Sequence, residues 1–573
     1  MIREKIKKDL KRTIKKSLKI KVKEIYLEHP ENPEFGDYSS NFALVKFKEI
    51  KSKMPSLTNP LDLAKKIIEN FPKKDYLEKV EVFAPGFINF YLKDKIFCSN
   101  LKKILRGKEK YGSSKIGRRK TIVIDYSAPN IAKPFSVGHL RSTIIGQALY
   151  NIYEFLGYKV IGDNHIGDWG TQYGKLIYAI KKWGNEKEIE KDPIRKLHGL
   201  YVRFHEEAEK DPQLEDEGRK WFKKLEKGDR EAERIWKKCV DWSFKEFDRI
   251  YKILDIKIDL TLGESFYVPM LKDVIKEALR KKVAKKSKGA IIIEFPKEKL
   301  PPLMIQKSDK ATLYPTRDLA TIKYRRKKFR PHKIIYEVGA DQSLYFKQMF
   351  LAAELLGWGK REDYFHVAHG LILLPTGRMR TRKGKIVLLE NVLNGAIKRA
   401  REIIEKNPDL TEKEKDEIAR TVGIGAVKYN DLSQHYSKNI VFDWGKMLNL
   451  QGNSAPYLQY TNARAQSILR KTKEKIEGFD EKILKEKEGL QLSKFLYYFP
   501  EVIEKAAKNY SPNLICNYLF ELAQKFNIFY ERLPVLKAKN ENLRKTRLAL
   551  VKATSQVLKN GLNLLGISAP ERM

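Results

Sequence analysis

Apolar positions along this chain change their spacing from one region to the next. Up to residue 112 helical and alternating stretches are mixed. The Lys/Glu-rich opening is spaced as an amphipathic helix, and Val22-Lys-Glu-Ile-Tyr-Leu27 alternates as a strand. Pro30, Pro33 and Gly36-Asp37 punctuate a loop, and residues 62–71 return to helical spacing. Val80-Glu-Val-Phe-Ala-Pro-Gly-Phe-Ile-Asn-Phe-Tyr-Leu92 reads as strand, turn, strand. An N-terminal α+β domain over 1–112 follows, with the basic stretch Lys102–Lys120 as a bridge to the next region.

Between 113 and 410 short apolar runs recur at 121–125, 159–162, 290–295, 334–338 and 364–372, with helical segments between them. That alternation predicts an open, mostly parallel sheet of Rossmann-like type. Residues 184–286 break the rhythm. They are dense in Lys and Glu, carry Trp221, Trp236 and Trp242 with Trp183 just before, and read as helical apart from a strand around Asp255–Leu262. We read this stretch as an insertion whose tryptophans are core residues. From 411 to 573 the spacing is helical throughout. Thr411-Glu-Lys-Glu414 has the form of a capping box, and Tyr457, Leu458, Tyr460, Ala463 and Ala465 fall on one long packed helix. Leu519, Leu522, Phe526, Phe529 and Tyr530 form a core stripe. The expected architecture is therefore multidomain, α/β and α, closing in a C-terminal all-helical bundle over 411–573.

Composition narrows the partners. Lys and Arg total 115 of 573 residues against 73 Asp and Glu, a formal net charge of +42. Such an excess favours polyanions, nucleic acid above all, without conferring sequence specificity. Cys98, Cys239 and Cys516 lie too far apart for a disulfide framework or a metal-ligand cluster, so no structural zinc and no other metal site is expected. The N-terminus lacks a signal-peptide core, and no run approaches the roughly 18 apolar residues of a spanning helix. A cytoplasmic protein with no membrane contact is the expectation.

The chemistry concentrates in Asp125-Tyr-Ser-Ala-Pro-Asn-Ile-Ala-Lys-Pro-Phe-Ser-Val-Gly-His-Leu-Arg141. It joins the apolar Thr121-Ile-Val-Ile124 to a helix start. Such a junction directs backbone N–H groups at an anion. Gly138 allows close approach, and Lys133 and His139 supply donors. Phosphate or nucleotide binding is the physical reading.

This segment resembles the signature loop of the arginyl-tRNA synthetases, a family of class I aminoacyl-tRNA synthetases. Gly162-Asp-Asn-His-Ile-Gly-Asp-Trp-Gly-Thr-Gln172, Tyr314-Pro-Thr-Arg-Asp318, Val338-Gly-Ala-Asp-Gln342 and Gly452-Asn-Ser-Ala-Pro-Tyr-Leu-Gln-Tyr460 are similar to further motifs of that family. So are His29-Pro-Glu-Asn-Pro-Glu-Phe-Gly-Asp-Tyr38 and Arg547-Leu-Ala-Leu-Val-Lys552. In order and spacing these cover nearly the whole length.

The resemblance implies ATP-dependent attachment of L-arginine to tRNA(Arg) through arginyl-adenylate, releasing AMP and pyrophosphate. Mg2+ would accompany ATP without a dedicated protein cage. A monomer is implied, as is the need for bound tRNA during activation. Carried over by motif, ATP faces Lys133, Gly138, His139, His165, Gly167, His369, Gly370 and Met379. Ser136 stands where the family usually has another histidine. In Arg378-Met-Arg-Thr-Arg-Lys-Gly384, Thr381 replaces a signature lysine; Arg380, Arg382 and Lys383 remain as catalytic candidates, with Lys133 the replacement charge. Arginine would be held by Asp125, Asn130, Tyr314, Asp318 and Gln342: Asp318 and Tyr314 on the guanidinium, Asp125 and Asn130 on the α-amino group. A local salt bridge from Asp318 to Arg317 or Arg325 is the competing reading. The N-terminal domain would contact the tRNA elbow, with Asn32, Phe35, Tyr38 and Asn89 on its recognisable segments. The helical tail would bind the anticodon, with Tyr460, Asn462 and Arg464 at its surface.

Overall fold

The computed structural model describes residues 2–374, 377–378, 387–472, 476, 478–480, 484 and 486–573. The chain forms two compact units. One comprises Met1–Arg106, Glu474–Tyr497 and Arg532–Leu550; the other comprises Gly107–Lys473, Tyr498–Glu531 and Val551–Met573.

In the first unit an antiparallel sheet has Phe87–Leu92 at its centre, between Tyr38–Ser40 and Leu77–Phe83. Helices Ile2–Leu18 and Pro60–Ile68 turn Ile6, Leu10, Ile14, Leu63 and Ile67 inward. Asn59 caps the second of these, accepting from the Asp62 N–H, and Pro60 fixes its first turn. The stretch 22–27 forms no strand beside this sheet.

The second unit is built on a five-stranded parallel sheet. Its elements are β1 (Thr121–Asp125), helix α1 (Val137–Phe155), β2 (Lys159–Asn164), β3 (Leu260–Thr261), helix α2 (Tyr314–Phe329), β4 (Lys333–Gly339), helix α3 (Ser343–Leu355) and β5 (Tyr364–His369). The strand order is β5-β4-β1-β2-β3. Asp125 pairs with Asp163 on β2 and with Tyr336 on β4, and Gly339 pairs with His369. Chain order runs outward in both directions from β1, so the crevice between the ends of β1 and β4 is the topological switch point. α1 packs on this sheet with Leu140, Ile144, Ala148, Leu149 and Ile152 buried. Each of these leucine and isoleucine side chains contributes about 2 kcal/mol by leaving water. Gly146 permits the close approach, because a Cβ there would collide with the Tyr126 ring.

The Rossmann-like core, the α+β N-terminal region and the helical C-terminal region are all present, with two corrections besides the absent strand at 22–27. Residues 290–295 do form a strand, but it belongs to a separate antiparallel sheet with Ala284–Ser287 and Leu300–Gln306. The turn Lys288-Gly289 carries two positive φ angles, the geometry of a tight hairpin, and a connection that short cannot return a strand in parallel. The strand expected around Asp255–Leu262 shrinks to β3, where Leu260 pairs with Asp163 and Thr261 with Asn164.

Most of the 184–286 stretch before the strand Ala284–Ser287 is helical, and Trp242 is buried in it. Beyond residue 410 the described chain is helical, with α4 (Glu412–Leu432) and α5 (Ala455–Arg470) followed by Lys487–Lys508, Asn513–Arg532 and Glu541–Leu564. The exception is Ile440–Val441, which pairs in parallel with Ile372–Leu374. No helix among the described residues is long and apolar enough to cross a membrane.

Candidate active site

A cavity of about 360 Å³ opens at the β1/β4 crevice, in the size range of small-molecule sites. Its lining gathers Asp125, Gly138, His139, His165, Tyr314, Asp318, Gln342 and His369 from six separate places in the sequence. The strand ends deliver Asp125, Gly339 and His369, and the first turns of α1 and α2 deliver Gly138, His139, Tyr314 and Asp318.

Four carboxylates, Asp125, Glu264, Asp318 and Glu337, line its walls. Asp125 is compensated: its Oδ2 lies 2.8 Å from Arg325 Nη1, and the same fully buried arginine donates from Nε to Asp163 at 2.8 Å. Arg317 lies 3.3 Å from Glu264. Asp318 pairs with neither arginine. It accepts the Tyr345 hydroxyl on Oδ2, and His165 Nε2 stands 3.5 Å from Oδ1. His165 is fixed from its other nitrogen by the Leu262 carbonyl at 3.0 Å. Burial disfavours the imidazolium, but the facing Asp318 carboxylate and the charge of Asp125 outweigh it and raise the pKa to about 9. Burial pushes Glu264 up to about 7, with Arg317 pulling the other way.

On the opposite wall stands His139. The Ser136 N–H donates to its Nδ1 at 3.1 Å, and the Ser136 hydroxyl is 3.2 Å from the same atom. Ser136 is thus the residue that begins α1, and it orients the histidine. Burial and the nearby Lys133 charge bring the His139 pKa down to about 4. A neutral ring whose Nδ1 accepts carries its proton on Nε2, the remaining nitrogen. His369 is tethered at Nδ1 to Glu337 at 3.0 Å; burial opposes its charge, yet Glu337 raises its pKa.

Other expected residues stand back from the cavity. Asn130 packs its side chain on Gly167, where a Cβ would collide with it, and the two form a parallel bridge. Lys133 places its ammonium 5.5 Å from the Tyr201 ring centroid, and burial lowers its pKa. Gly370 serves packing: a Cβ there would lie 2.6 Å from the Lys438 backbone. Met379, Arg380, Arg382 and Lys383 lie outside the described residues.

Three residues expected on tRNA-facing surfaces are interior. Tyr38 and Asn89 are buried in the antiparallel sheet, Asn89 accepting the Ser39 hydroxyl at 2.6 Å. Asn462 is 1% exposed; it donates to the Pro570 carbonyl and accepts from Ser555. These are short polar side chains satisfied inside the fold, and correcting them leaves Asn32, Phe35, Tyr460 and Arg464. Phe35 is exposed and edge-on to Phe83, and Arg464 lies 5.0 Å from the Tyr460 ring centroid.

Sequence reasoning missed Glu264, Glu337 and Tyr345, all of which line the cavity. Glu337 had a signal: a lone charge inside the apolar run Ile334-Ile-Tyr-Glu-Val338. Glu264 follows a two-residue strand and had none.

A parallel sheet with a carboxylate-lined cavity at its switch point, faced by a histidine at the start of a helix, fits a nucleotide-binding α/β protein. The family described as "tRNA synthetases class I (R), catalytic domain" matches residues 100–444, "DALR anticodon binding domain" matches 458–573 and "Arginyl tRNA synthetase N terminal domain" matches 2–92. The chain belongs to the arginyl-tRNA synthetase family. It is 45% identical over 547 residues to the arginine–tRNA ligase of Fusobacterium nucleatum, covering 95% of this chain and 94% of the relative. It is 43% identical over 575 residues to that of Clostridioides difficile, covering 99% and 100%. Among solved structures, arginyl-tRNA synthetase from Plasmodium falciparum superposes with a TM-score of 0.86 at 29% identity, covering 100% of this chain and 99% of its own. The Thermus thermophilus enzyme gives 0.86 at 25% identity, covering all of both chains.

Proposed function

We infer that this chain joins L-arginine to its cognate tRNA in two ATP-driven steps. The arginine carboxylate attacks the α-phosphorus of ATP, giving arginyl-adenylate and releasing pyrophosphate. A terminal ribose hydroxyl of the tRNA then takes the arginyl group and AMP leaves. Neither step requires a strong protein base; both require in-line placement and charge compensation. The observation that carries the reading is the acid-walled cavity at the switch point, in a chain of this family.

The roles follow from charge and reach. A guanidinium is planar, permanently charged and offers five N–H donors. Asp318 and Glu264 supply the acceptors for it, with Tyr314 alongside. Asp125, already neutralised by Arg325, suits the single charge of the α-amino group. Asn130 keeps that loop in place through Gly167, and Gln342 completes the polar wall. Lysine lacks the planar fork and would leave buried acceptors unpaired, so rejection needs no editing step. His139 donates from Nε2 to a phosphate, His369 faces the same side, and Lys133 supplies charge from the signature loop. Mg2+ arrives on the ATP phosphates, which with water supply most of its oxygen ligands. The exposed Asn32 and Phe35, and the pair Tyr460 and Arg464, contact tRNA. The enzyme works as a monomer in the cytoplasm.

The test is transfer of labelled arginine to total tRNA with ATP and Mg2+, beside lysine and glutamine. Arginine-specific charging that is lost in Asp318→Ala is the expected result. Tight tRNA binding with no charging would overturn the reading.

A further inference from the structure

Arg141 lies two residues beyond His139 on α1, and its side chain is 1% exposed. Its guanidinium is shared between two acceptors: Nε donates to Asp431 Oδ1 at 3.0 Å and Nη1 to the Lys438 carbonyl at 2.6 Å. Asp431 is equally buried and sits at the end of α4. The segment that follows grips the far wall of the cavity. The Gly370 N–H donates to the Tyr436 carbonyl at 2.9 Å, the Leu371 N–H to Asn439 Oδ1 at 2.7 Å and the Ile440 N–H to the Leu371 carbonyl at 2.9 Å. One stretch, 431–440, therefore holds both the helix turn that carries His139 and the strand end that carries His369.

Buried ion pairs are poor stabilisers, because desolvation offsets most of the Coulomb gain. This one leaves Arg141 Nη2 and Asp431 Oδ2 without a hydrogen-bond partner. What it does supply is direction: a forked donor aimed from one element at two fixed acceptors on another. We propose that Arg141 and Asp431 are positioning residues that set the spacing of His139 and His369 across the phosphate side of the cavity. The proposal rests on the assignment of those two histidines to ATP.

The test uses Asp431→Asn, Arg141→Lys and the apolar double variant Arg141→Met with Asp431→Leu, in the full-length enzyme. ATP dissociation constants by calorimetry report on the brace without turnover. Arginine-dependent ATP–pyrophosphate exchange with tRNA present gives KM for ATP and for arginine. Both single variants should weaken ATP binding about tenfold and leave the arginine KM within about twofold. The double variant, which buries no unpaired charge, should recover the wild-type melting temperature while ATP binding stays weak. ATP affinity unchanged in all three, with activity tracking a lowered melting temperature, would overturn the proposal; so would recovery of ATP affinity in the double variant. Wild-type enzyme that binds ATP but charges no arginine would sink the functional reading, while the ATP constants would still judge the brace.

Discussion

Tyr345 on α3 donates its hydroxyl to Asp318 on α2, and His165 stands 3.5 Å from the other oxygen of the same carboxylate. Two different elements thus orient one acid, while Arg317 and Arg325 pair with Glu264, Asp125 and Asp163 instead. Asp318 thus has no arginine partner among the described residues, and the His165 imidazole is the basic group beside it. Asp318→Asn should raise the arginine KM about 10- to 100-fold, the range for losing a charge-assisted hydrogen bond. Tyr345→Phe should raise it less, about three- to tenfold, by loosening the carboxylate. Steady-state charging at varied arginine and varied ATP checks both. A Tyr345→Phe enzyme with a changed ATP KM and an unchanged arginine KM would contradict this arrangement.

Glu264 extends the argument to pH. Burial holds its pKa up at about 7, so it is largely protonated at pH 6 and ionised at pH 8. The guanidinium is charged throughout and prefers the ionised form. The arginine KM should therefore fall as pH rises from 6 to 8, by about tenfold for one coupled proton. Glu264→Gln should flatten that profile and hold the KM near the wild-type pH 6 value. A wild-type KM that rises over this interval would exclude Glu264 as a guanidinium acceptor.

Much of this site was legible before any coordinates, because its residues sit in motifs at strand ends and helix starts. Asp125, His139, Tyr314, Asp318 and Gln342 came from the family resemblance of their motifs, and the fold gathers them in one cavity lining at the carboxyl ends of the strands. What stayed hidden depended on tertiary contact. Glu264 joins the wall only because β3 adds to the sheet edge through two residue pairs, too short to leave a periodic trace. The strand 290–295 read as part of the main sheet because a buried apolar run looks the same in either sheet; the two-residue turn before it decides the matter. Asn462 stands among the expected surface groups, and Asn89 and Tyr38 on segments expected to meet tRNA. Each is buried with its polar atoms or ring engaged, which sequence does not reveal.

The His139 tautomer gives a sharp contrast between two conservative replacements. Its Nδ1 is occupied by the Ser136 N–H, so the functional proton is on Nε2. Glutamine places an N–H donor near the Nε2 position, and asparagine places one near Nδ1. His139→Gln should retain about ten times more activation rate than His139→Asn. With its pKa down at about 4, this group should add no inflection to the rate between pH 6 and 8. Pre-steady-state adenylate formation across that interval is the measurement. Equal loss in the two variants would remove the Nε2 donor role.

His165 makes a stability prediction of definite sign. Its pKa is about 9 in the folded chain against an ordinary value of about 6.5. A raised base contributes stability that is fully present below the unfolded pKa and is lost as pH rises through the folded one. Unfolding free energy should decline between about pH 6.5 and 9, by at most about 3 kcal/mol from this residue. Glu264 acts with the same sign but at lower pH, between its unfolded value and about 7. His165→Gln should therefore flatten the alkaline part of the profile alone. Urea unfolding at pH 6.5, 7.5 and 9 would show it, and a variant with the wild-type slope in that window would refute the linkage.

The last contrast separates an anchor from a reader on a single helix. On α5, Gln459 donates to the Ser568 carbonyl at 2.8 Å, Asn462 to the Pro570 carbonyl at 3.0 Å and Arg470 to the Glu571 carbonyl at 2.9 Å. These side chains pin the stretch 568–571 along the helix, and Asn462 also accepts the Ser555 hydroxyl at 2.7 Å. Asn462→Leu would remove the partner of the half-buried Pro570 carbonyl and the acceptor of the buried Ser555 hydroxyl, which keeps only the Gln466 amide, at a cost of about 1–3 kcal/mol. Tyr460 is 39% exposed and Arg464 stacks over its ring, a pairing suited to an unpaired base. Tyr460→Ala should leave the melting temperature within a degree or two and raise the tRNA KM, since stacking on one base is worth about 1–3 kcal/mol. Asn462→Leu should do the reverse, lowering the melting temperature while the surviving folded enzyme binds tRNA normally. Thermal melts and tRNA titrations on the two variants decide it. If Asn462→Leu melts like wild type yet loses tRNA affinity, the buried asparagine is reached by RNA after all, and the assignment of anchor and reader must be exchanged.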